Sequence, residues 1–185
     1  HGRQVLLLVA FAVLACLAAV FSIMKGSVEI PLEEILGAMA GEQGTHAQIL
    51  MNIRLPRTIV ALLVGVNLAL SGAILQAVMK NPLADPHIIG ISSGAGLTGI
   101  FVMLLLPEYG ALVTPAAFVG ALGAAVLIYI LAWKNGIRPV RIILAGVAVS
   151  AFLGAGIPAL MIIYSDRVHS ALLFMVGGLS ARSWP

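Results

Sequence analysis

Five long apolar runs, separated by short polar connections, dominate the hydrophobic pattern of the chain. Each run is long enough to cross a hydrocarbon core of about 30 Å at a rise of about 1.5 Å per residue. Lipid offers no partners to backbone N–H and C=O groups, so runs of this length must be helices. The predicted transmembrane helices cover about 5–24, 58–79, 88–106, 111–133 and 140–164. The pattern therefore predicts an all-α integral membrane protein, a polytopic helical bundle of about five transmembrane helices.

Two further apolar stretches, about 30–40 and 169–179, are too short to span a bilayer and predict interfacial helices. In the first of them, Pro31 suits a first helical position, while Glu33 and Glu34 suit the positive end of a helix dipole. The opening run follows a basic residue, as in a signal peptide, but it is longer than a typical signal-peptide core and lacks a clear cleavage site. We interpret it as a retained span of one transmembrane domain that covers the whole chain.

Composition supports the membrane class, because 61% of the 185 residues are hydrophobic and only 9% are charged. The formal net charge of +3 arises from residues that lie mostly between the apolar runs. Nucleic-acid binding would require a clustered basic face, which the sequence lacks, so no nucleic-acid partner is expected. The single cysteine, Cys16, lies inside the first run and is predicted to be a small buried apolar residue.

Catalytic and metal chemistry find little support in the sequence. His46, His87 and His169 are isolated from other metal-ligating residues, so no metal site is predicted. An intramembrane enzyme would need a nucleophile with a base at membrane depth, yet Ser71 and Ser150 have no His or Asp in their own runs. A secondary transporter would usually need a buried ionisable residue, and the five runs contain no acid. That transporter class stays an alternative to the function inferred below.

The second run carries small and polar residues on opposite sides of its predicted helix. At 100° per residue, Gly72 and Gln76 share one face, while Asn67 and Ser71 lie nearly opposite. A lipid-facing surface would be wholly apolar, so other helices should surround this one. We interpret the four residues as packing positions, with a role in a transport path as the alternative.

The segment that leaves the second run, "KNPLADPHIIGISSGAG", has the most specific local pattern in the chain. Prolines disfavour the helical conformation in the residue before them, so the chain must break and re-enter the membrane within a few residues. Asp85 is placed to cap the following helix, and the glycines permit close backbone approach. The residues of this turn motif are Asn81, Pro82, Asp85, Pro86, Gly90, Gly94 and Gly96. No GxxxxGK[ST] loop occurs, so energy from ATP would have to enter through a partner.

Two arginines, Arg54 and Arg57, stand just before the second run in the stretch "RLPR". With the N-terminus inside, the lysine and arginine count is equal on the two sides of the membrane, so charge does not decide the orientation. In that orientation the pair lies outside, against the rule, and needs another reason to be there. One explanation is that both side chains only anchor a helix end at headgroup level.

Four stretches resemble the FecCD-type permeases of ABC importers for iron-siderophores, haem and cobalamin. They are "RLPR", "LALSGAILQAVMKNPLADPHIIGISSGAG", "RIILAGVAVS" and "FMVGGLSARSW". The resemblance implies the N-terminal half of a ten-helix permease in a bacterial inner membrane, with a cytoplasmic N-terminus. It also implies three partners besides membrane lipid: a second permease subunit, a cytoplasmic ATPase dimer that uses the ATP, and an extracytoplasmic substrate-binding protein. This chain itself would bind no cofactor.

The same resemblance implies roles for individual residues. It assigns Arg54 and Arg57 to docking of acidic residues on the binding protein. It assigns the cytoplasmic gate to Pro139 and Val140, although related gates often carry small hydroxyl residues there. The helix that lines the path would present Gly146, Ser150 and Gly154 along one face. Close helix packing by these small residues is the alternative, and a transport-incompetent fragment is a variant of the same reading.

Overall fold

The computed structural model describes residues 2–26, 28, 30–41, 44–134, 136, 138–179 and 184, and these residues form helices and connecting turns without a strand. The α-helices are α1 (Gly2–Met24), α2 (Leu32–Met39), α3 (Thr45–Ile49), α4 (Leu55–Met79), α5 (Ile91–Leu105), α6 (Val113–Ala132), α7 (Pro139–Ile163) and α8 (Val168–Val176). A π-helical turn, Leu50–Arg54, joins α3 to α4, and 3-10 turns cover Pro86–Ile89, Pro107–Leu112 and Ser165–Arg167. The predicted all-α class is confirmed.

Four helical segments in the described part of the chain are long and apolar enough to cross a membrane. They are Gly2–Met24, Thr45–Met79, Pro107–Ala132 and Pro139–Ile163. The third predicted span, 88–106, is shorter than expected, because α5 has only 15 residues. Gly90 adopts a left-handed conformation with φ 82° just before α5, and Pro107 begins a 3-10 turn just after it. These two breaks limit the α-helix to a length of about 22 Å.

The second predicted span begins earlier than the sequence suggested. The chain is helical without interruption from Thr45 to Met79, whereas the apolar run predicted a start at residue 58. Pro56 has no N–H group, and a proline inside a helix removes one backbone hydrogen bond. The chain accommodates it through the wide turn before it, in which the Leu55 N–H donates to the Leu50 carbonyl. The stretch "RLPR" therefore lies inside a helical segment and does not mark its end.

Two compact units make up the chain, and the boundary falls within α4. The first unit contains residues 1–67 and 179–185. Its small core consists of Ile30, Ile35, Ala38 and Leu50. No residue of α1 is buried, and Cys16 is exposed on that helix, so the prediction of a buried thiol was wrong. An apolar helix surface of this kind suits contact with lipid.

The second unit, residues 68–178, is built around α5. Ile100 and Leu104 on this helix are completely buried. α5 and α6 approach backbone to backbone, since a Cβ atom on Gly94 would lie 2.3 Å from the Gly120 carbonyl oxygen. The Thr98 hydroxyl donates across the same contact to the Ala116 carbonyl at 2.9 Å. Small residues allow this approach, as is usual between membrane helices.

Candidate functional site

Arg54 is buried against the C-terminal end of α1, with 7% of its surface exposed. Its Nη1 donates to the carbonyls of Ile23 at 2.7 Å and Met24 at 3.1 Å, and its Nη2 donates to the carbonyl of Val28. The last carbonyls of a helix have no partners within it. Arg54 therefore caps α1 from the neighbouring helix. Gly26 leaves room for this contact, because a Cβ atom there would lie 2.7 Å from Nη2.

A second polar contact joins α1 to α4 close to the arginine cap. The hydroxyl groups of Ser22 and Thr58 lie 3.2 Å apart, and Thr58 is buried. Hydroxyl groups on membrane helices commonly hydrogen-bond across a helix interface. The end of α1 is therefore held to the start of α4 by the guanidinium group and by this hydroxyl pair.

Arg57 differs from Arg54 in its exposure and in its partners. Its side chain is exposed, and its Nε donates to the Leu179 carbonyl at 3.2 Å. No hydrogen bond from its Nη1 or Nη2 is found to the described residues. Those two nitrogens form the edge of a guanidinium group that binds carboxylates in bidentate geometry. The structure therefore separates the two predicted docking residues, since only Arg57 presents such an edge.

The indole of Trp184 binds the helical segment that contains Pro56. Its Nε1 donates to the Met51 carbonyl at 2.7 Å. In the wide turn the Leu55 N–H pairs with the Leu50 carbonyl, so the next carbonyl, of Met51, would pair with residue 56. Pro56 has no N–H group to donate, and the tryptophan takes its place. Sequence reasoning missed this contact, although a proline inside a helix signals that a carbonyl needs an outside donor.

We expect the substitution Trp184→Phe to destabilise this part of the protein. Phenylalanine keeps an aromatic ring but loses the N–H donor, which should cost about 1 kcal/mol. Hydrogen exchange of the amides around Met51 should become faster, and mass spectrometry of peptides from this segment would measure it. Trp133→Phe is the matched control, since the exposed Trp133 packs against Tyr129 in the other unit. Equal exchange in the wild type and Trp184→Phe would contradict the role of the indole.

A cavity of about 410 Å³ lies beside the arginine cap, and we call it the basic cavity. Three of its lining residues are cationic and the others are apolar or small. The lining residues are Phe21, Ser22, Lys25, Gly26, Val28, Ile49, Ile53, Arg54 and Arg57. Sequence reasoning did not identify this cavity, because Lys25 and Arg54 are distant in the sequence and meet only through the contact between α1 and the helical segment around Arg54.

The turn motif after α4 is held by its own polar side chains. The Asn81 Oδ1 accepts a hydrogen bond from the Leu83 N–H at 2.9 Å, and the Asp85 Oδ1 accepts one from the His87 N–H at 2.7 Å. Asp85 thereby caps the 3-10 turn that begins at Pro86. These bonds explain why an Asn and an Asp flank the turn, since such side chains satisfy backbone N–H groups outside regular helices.

The glycines of the turn motif are in close contact with α7 and α6. A Cβ atom on Gly90 would lie 1.7 Å from the Ser150 Oγ, and one on Gly146 would lie 2.5 Å from the Ile89 carbonyl oxygen. The Ser150 hydroxyl itself donates to the Gly146 carbonyl at 2.7 Å. Two residues that the resemblance assigned to the transport path therefore pack against the turn.

Other predicted residues have more open surroundings. The atom nearest to a Cβ on Gly96 is the Ile157 Cδ1 at 3.2 Å, and a Cβ on Gly154 would meet nothing within 4 Å. The predicted gate residues, Pro139 and Val140, are exposed at the start of α7. Pro139 also lines a cavity of about 70 Å³ between α7 and the turn motif.

The four predicted packing residues of α4 make local contacts only in the described structure. The Asn67 Nδ2 donates to the Leu63 carbonyl at 2.8 Å, and the Ser71 hydroxyl donates to the Leu68 carbonyl at 3.0 Å. The Gln76 Nε2 lies 3.5 Å from the Ala84 carbonyl, and a Cβ on Gly72 would meet nothing within 4 Å. All residues from 61 to 71 are exposed. That other helices surround α4 stays a prediction.

The described residues contain no group of three His, Cys, Asp or Glu side chains that could hold a metal ion. His46 pairs through Nδ1 with the Glu34 carboxylate, a contact between α3 and α2. His46, one of the three histidines that are isolated in sequence, therefore has a structural role in the contact between α2 and α3.

Comparison with known proteins gives a consistent set of relatives. A model of the FecCD transport family matches residues 12–185. The Fe(3+)-citrate import system permease protein YfmE of Bacillus subtilis is 38% identical over 183 residues, which cover 98% of this chain and 55% of that protein. The cobalamin import system permease protein BtuC of Halobacterium salinarum is 42% identical over 146 residues, which cover 78% of this chain and 39% of that protein. The chain spans about half the length of these relatives, or less.

A solved structure is similar over nearly the whole chain. It is described as an inward-facing conformation of an ABC transporter of metal-chelate type. The TM-score is 0.81 at 27% sequence identity, and the match covers 96% of this chain and 55% of the solved chain. The fold of this chain is therefore similar to that of a solved protein described as an ABC transporter.

Proposed function

The chain belongs to the FecCD transport family, and from that premise we propose that it forms part of the permease subunit of a binding-protein-dependent ABC importer. The observation that carries the proposal is the family match over most of the chain, combined with four helices able to cross a membrane. The chain is a multi-pass membrane protein. We place it in a bacterial inner membrane with its N-terminus in the cytoplasm. This orientation puts the "RLPR" stretch outside.

The proposed partners follow from this class of importer. A second permease subunit, identical or related, would complete the pathway across the membrane. A cytoplasmic ATPase dimer would use the ATP, since the sequence contains no GxxxxGK[ST] loop. An extracytoplasmic binding protein would deliver the substrate. In this arrangement the chain is a transport component without catalytic residues of its own, and alternating access would be driven from the ATPase.

We propose a metal chelate as the substrate class, either an iron-siderophore or a compound like haem or cobalamin. Relatives named for Fe(3+)-citrate and for cobalamin import support a bulky chelate. The test is ATP-dependent uptake by the complete complex in proteoliposomes, with ferric citrate, a ferric siderophore, haem and cobalamin offered separately. Uptake of one chelate is the expected result. Absence of uptake for all of them, in vesicles whose ATPase is active, would overturn this substrate class.

Docking of the binding protein is assigned chiefly to Arg57. Its exposed guanidinium group is held at Nε by the Leu179 carbonyl, which leaves the Nη1 and Nη2 edge for a carboxylate. Arg54 would act indirectly in this proposal, by holding the helical segment in place through its contacts with α1. Pro139 and Val140 stay our candidates for the cytoplasmic gate, since both are exposed at the start of α7.

We expect charge reversal by Arg57→Glu to weaken association with the cognate binding protein about tenfold or more. A like-charge contact replaces an attractive one, and the defect should grow at low salt, where screening is weak. Surface plasmon resonance on the reconstituted complex would measure it at two ionic strengths. Arg138→Glu is the control, because Arg138 is exposed before α7 and is assigned to the cytoplasmic side. Unchanged association of the Arg57→Glu complex would remove the docking role.

A further inference from the structure

The two ends of the second unit differ in charge. At the first end, α4 finishes, the turn motif follows, and α7 begins, since Met79, Asp85 and Pro139 line one cavity. α6 finishes there as well, because only residues 133–138, the α6–α7 connection, separate it from α7. The charged residues at this end are Lys80, Asp85, Lys134, Arg138 and Arg141, whereas those at the opposite end are Glu108, Asp166 and Arg167. Positive charge is therefore concentrated at the first end, where four cations accompany one carboxylate.

Arg141 holds the backbone of the α6–α7 connection. Its Nη1 donates to the Lys134 carbonyl at 2.6 Å, and its Nη2 donates to the Gly136 carbonyl at 2.7 Å. Hydrogen bonds from a charged donor are about twice as strong as those between neutral groups. The guanidinium group of Arg141 is therefore engaged with the chain itself, and it fixes the backbone from which the Lys134 side chain projects.

Lys134 and Arg138 are the cations that the α6–α7 connection leaves without a counter-charge. Both are exposed, and neither side chain has a hydrogen bond or an ion pair with the described residues. Asp85, the one carboxylate at this end, accepts the His87 N–H and forms no ion pair with a described cation. Arg138 also directly precedes α7, where the positive end of the helix dipole adds to the attraction for an anion. An anion at the α6–α7 connection is therefore electrostatically favoured.

Exposed apolar side chains accompany these two cations. The helices on both sides of the connection are long enough to cross a membrane, so the connection lies at the level of the lipid headgroups. Trp133 is 55% exposed and packs on Tyr129 with ring centroids 5.5 Å apart, while Val140 is 66% exposed. Tryptophan and tyrosine are enriched at this depth because their rings suit both the headgroups and the upper acyl chains. Cations and an apolar surface therefore occur together where a lipid presents its phosphate and its chains.

We propose that the α6–α7 connection binds the phosphate group of an anionic phospholipid. Arg138 can donate to two phosphate oxygens at once, and Lys134 supplies a point charge. Trp133 contacts the upper part of an acyl chain in this arrangement. Free phosphate has the same charge chemistry but no acyl chain for the indole ring, so a lipid is the source that we assign. The site adds a lipid contact to the transport function proposed above and does not depend on the substrate or on the docking role.

The test measures thermal unfolding of the purified protein in dodecyl maltoside with three additions. These are dioleoyl phosphatidylglycerol, dioleoyl phosphatidylcholine and inorganic phosphate. We expect phosphatidylglycerol at a hundredfold excess over its dissociation constant to raise the melting temperature by about 5 °C or more. Phosphatidylcholine and inorganic phosphate should leave it nearly unchanged. Native mass spectrometry of the same samples would count the retained phosphatidylglycerol molecules.

Lys134→Gln and Arg138→Gln should each lose at least half of the phosphatidylglycerol shift and retain fewer lipid molecules. Without lipid, both should melt near the wild-type temperature, because their side chains are exposed and bind no described residue. Lys134→Arg should keep the shift, since it keeps the charge. Arg3→Gln is the matched control and should also keep it, because Arg3 is an exposed cation near the start of α1, in the other unit.

Two outcomes would overturn the proposal: equal shifts with phosphatidylglycerol and phosphatidylcholine, or a full phosphatidylglycerol shift in both glutamine variants. An equal shift with inorganic phosphate would overturn the lipid assignment. None of these measurements uses substrate uptake or the binding protein. The inference can therefore fail while the proposed transport function stands.

Discussion

We expect the substitution Gly90→Ala to leave little correctly folded protein. The backbone at Gly90 has φ 82°, a conformation that costs an alanine about 1 kcal/mol or more. The added methyl group would also lie 1.7 Å from the Ser150 Oγ and 2.8 Å from the Gly146 carbonyl oxygen. Ser150 can change rotamer, but the carbonyl belongs to the backbone of α7. Together, strain and overlap should destabilise the protein by about 3 kcal/mol or more.

The measurement is the free energy of unfolding in mixed micelles, with the yield of monodisperse protein as a second readout. Gly65→Ala is the matched control, because a Cβ at that position in α4 meets nothing within 4 Å. It should be neutral or slightly stabilising, since alanine favours helix. The double variant Gly90→Ala with Ser150→Ala should recover only part of the loss, because the backbone contact with Gly146 persists. A stable Gly90→Ala single variant would show that the turn and α7 can separate at little cost.

We expect the substitution Arg54→Met to detach α1 from its neighbour and to lower the free energy of unfolding by about 2–4 kcal/mol. Methionine keeps an unbranched apolar side chain but is shorter and donates no hydrogen bond, so the carbonyls of Ile23, Met24 and Val28 lose a charged donor. Hydrogen exchange at the C-terminal turn of α1 should accelerate at the same time. Both effects follow from the burial of this guanidinium group.

Arg57→Met provides the comparison for Arg54→Met. Arg57 is exposed and makes one described hydrogen bond, so its loss should cost less than about 1 kcal/mol. In the binding-protein assay, however, Arg57→Met should lower the affinity per folded complex more than Arg54→Met does. Similar stabilities of the two variants would contradict the distinction between a structural arginine and a docking arginine.

That distinction changes the interpretation of the "RLPR" stretch. Its two arginines looked equivalent in sequence, and their position against the charge rule suggested a shared task. In the structure, Arg54 satisfies carbonyls at the end of α1, whereas Arg57 faces outward with Leu179 behind it. In the proposed orientation, the need of the α1 carbonyls for hydrogen-bond donors is enough to explain the position of Arg54. The proposed docking of a partner outside the membrane therefore involves chiefly the exposed Arg57.

Helix positions could be predicted where hydrophobicity alone decides them. The end of α1 and the limits of α7 agree with the apolar runs to within one residue. The start of the second helical segment could not be predicted in this way, because residues 45–57 are more polar and contain Pro56. A tertiary contact, the Trp184 indole on the Met51 carbonyl, helps to keep that segment helical. Local pattern carries no information about such a donor more than a hundred residues away.

In the turn motif, too, some residue roles could be predicted from the local sequence and others depend on tertiary contacts. The sequence predicted that Asp85 caps the following helix, whereas its carboxylate caps the 3-10 turn before α5 by accepting the His87 N–H, and Gly90 is the N-cap of α5. The glycines were recognised as sites of close approach, but the sequence did not reveal what approaches them. Gly90 meets α7 and Gly94 meets α6, and both contacts depend on how separate helices pack. The basic cavity likewise requires Lys25 and Arg54 to meet across a contact in the first unit.

The class of this protein could be inferred from its apolar composition, from runs long enough for membrane-spanning helices, and from the prolines that signal a turn. These properties depend on transfer of side chains into lipid and on local backbone rules, which need no knowledge of distant residues. Helix packing, in contrast, is what makes Arg54 cap α1 while Arg57 stays exposed, and what brings Gly146 and Ser150 against the turn. Such assignments depend on which buried donors and carbonyls meet after the helices pack. Hydropathy contains no information about that pairing.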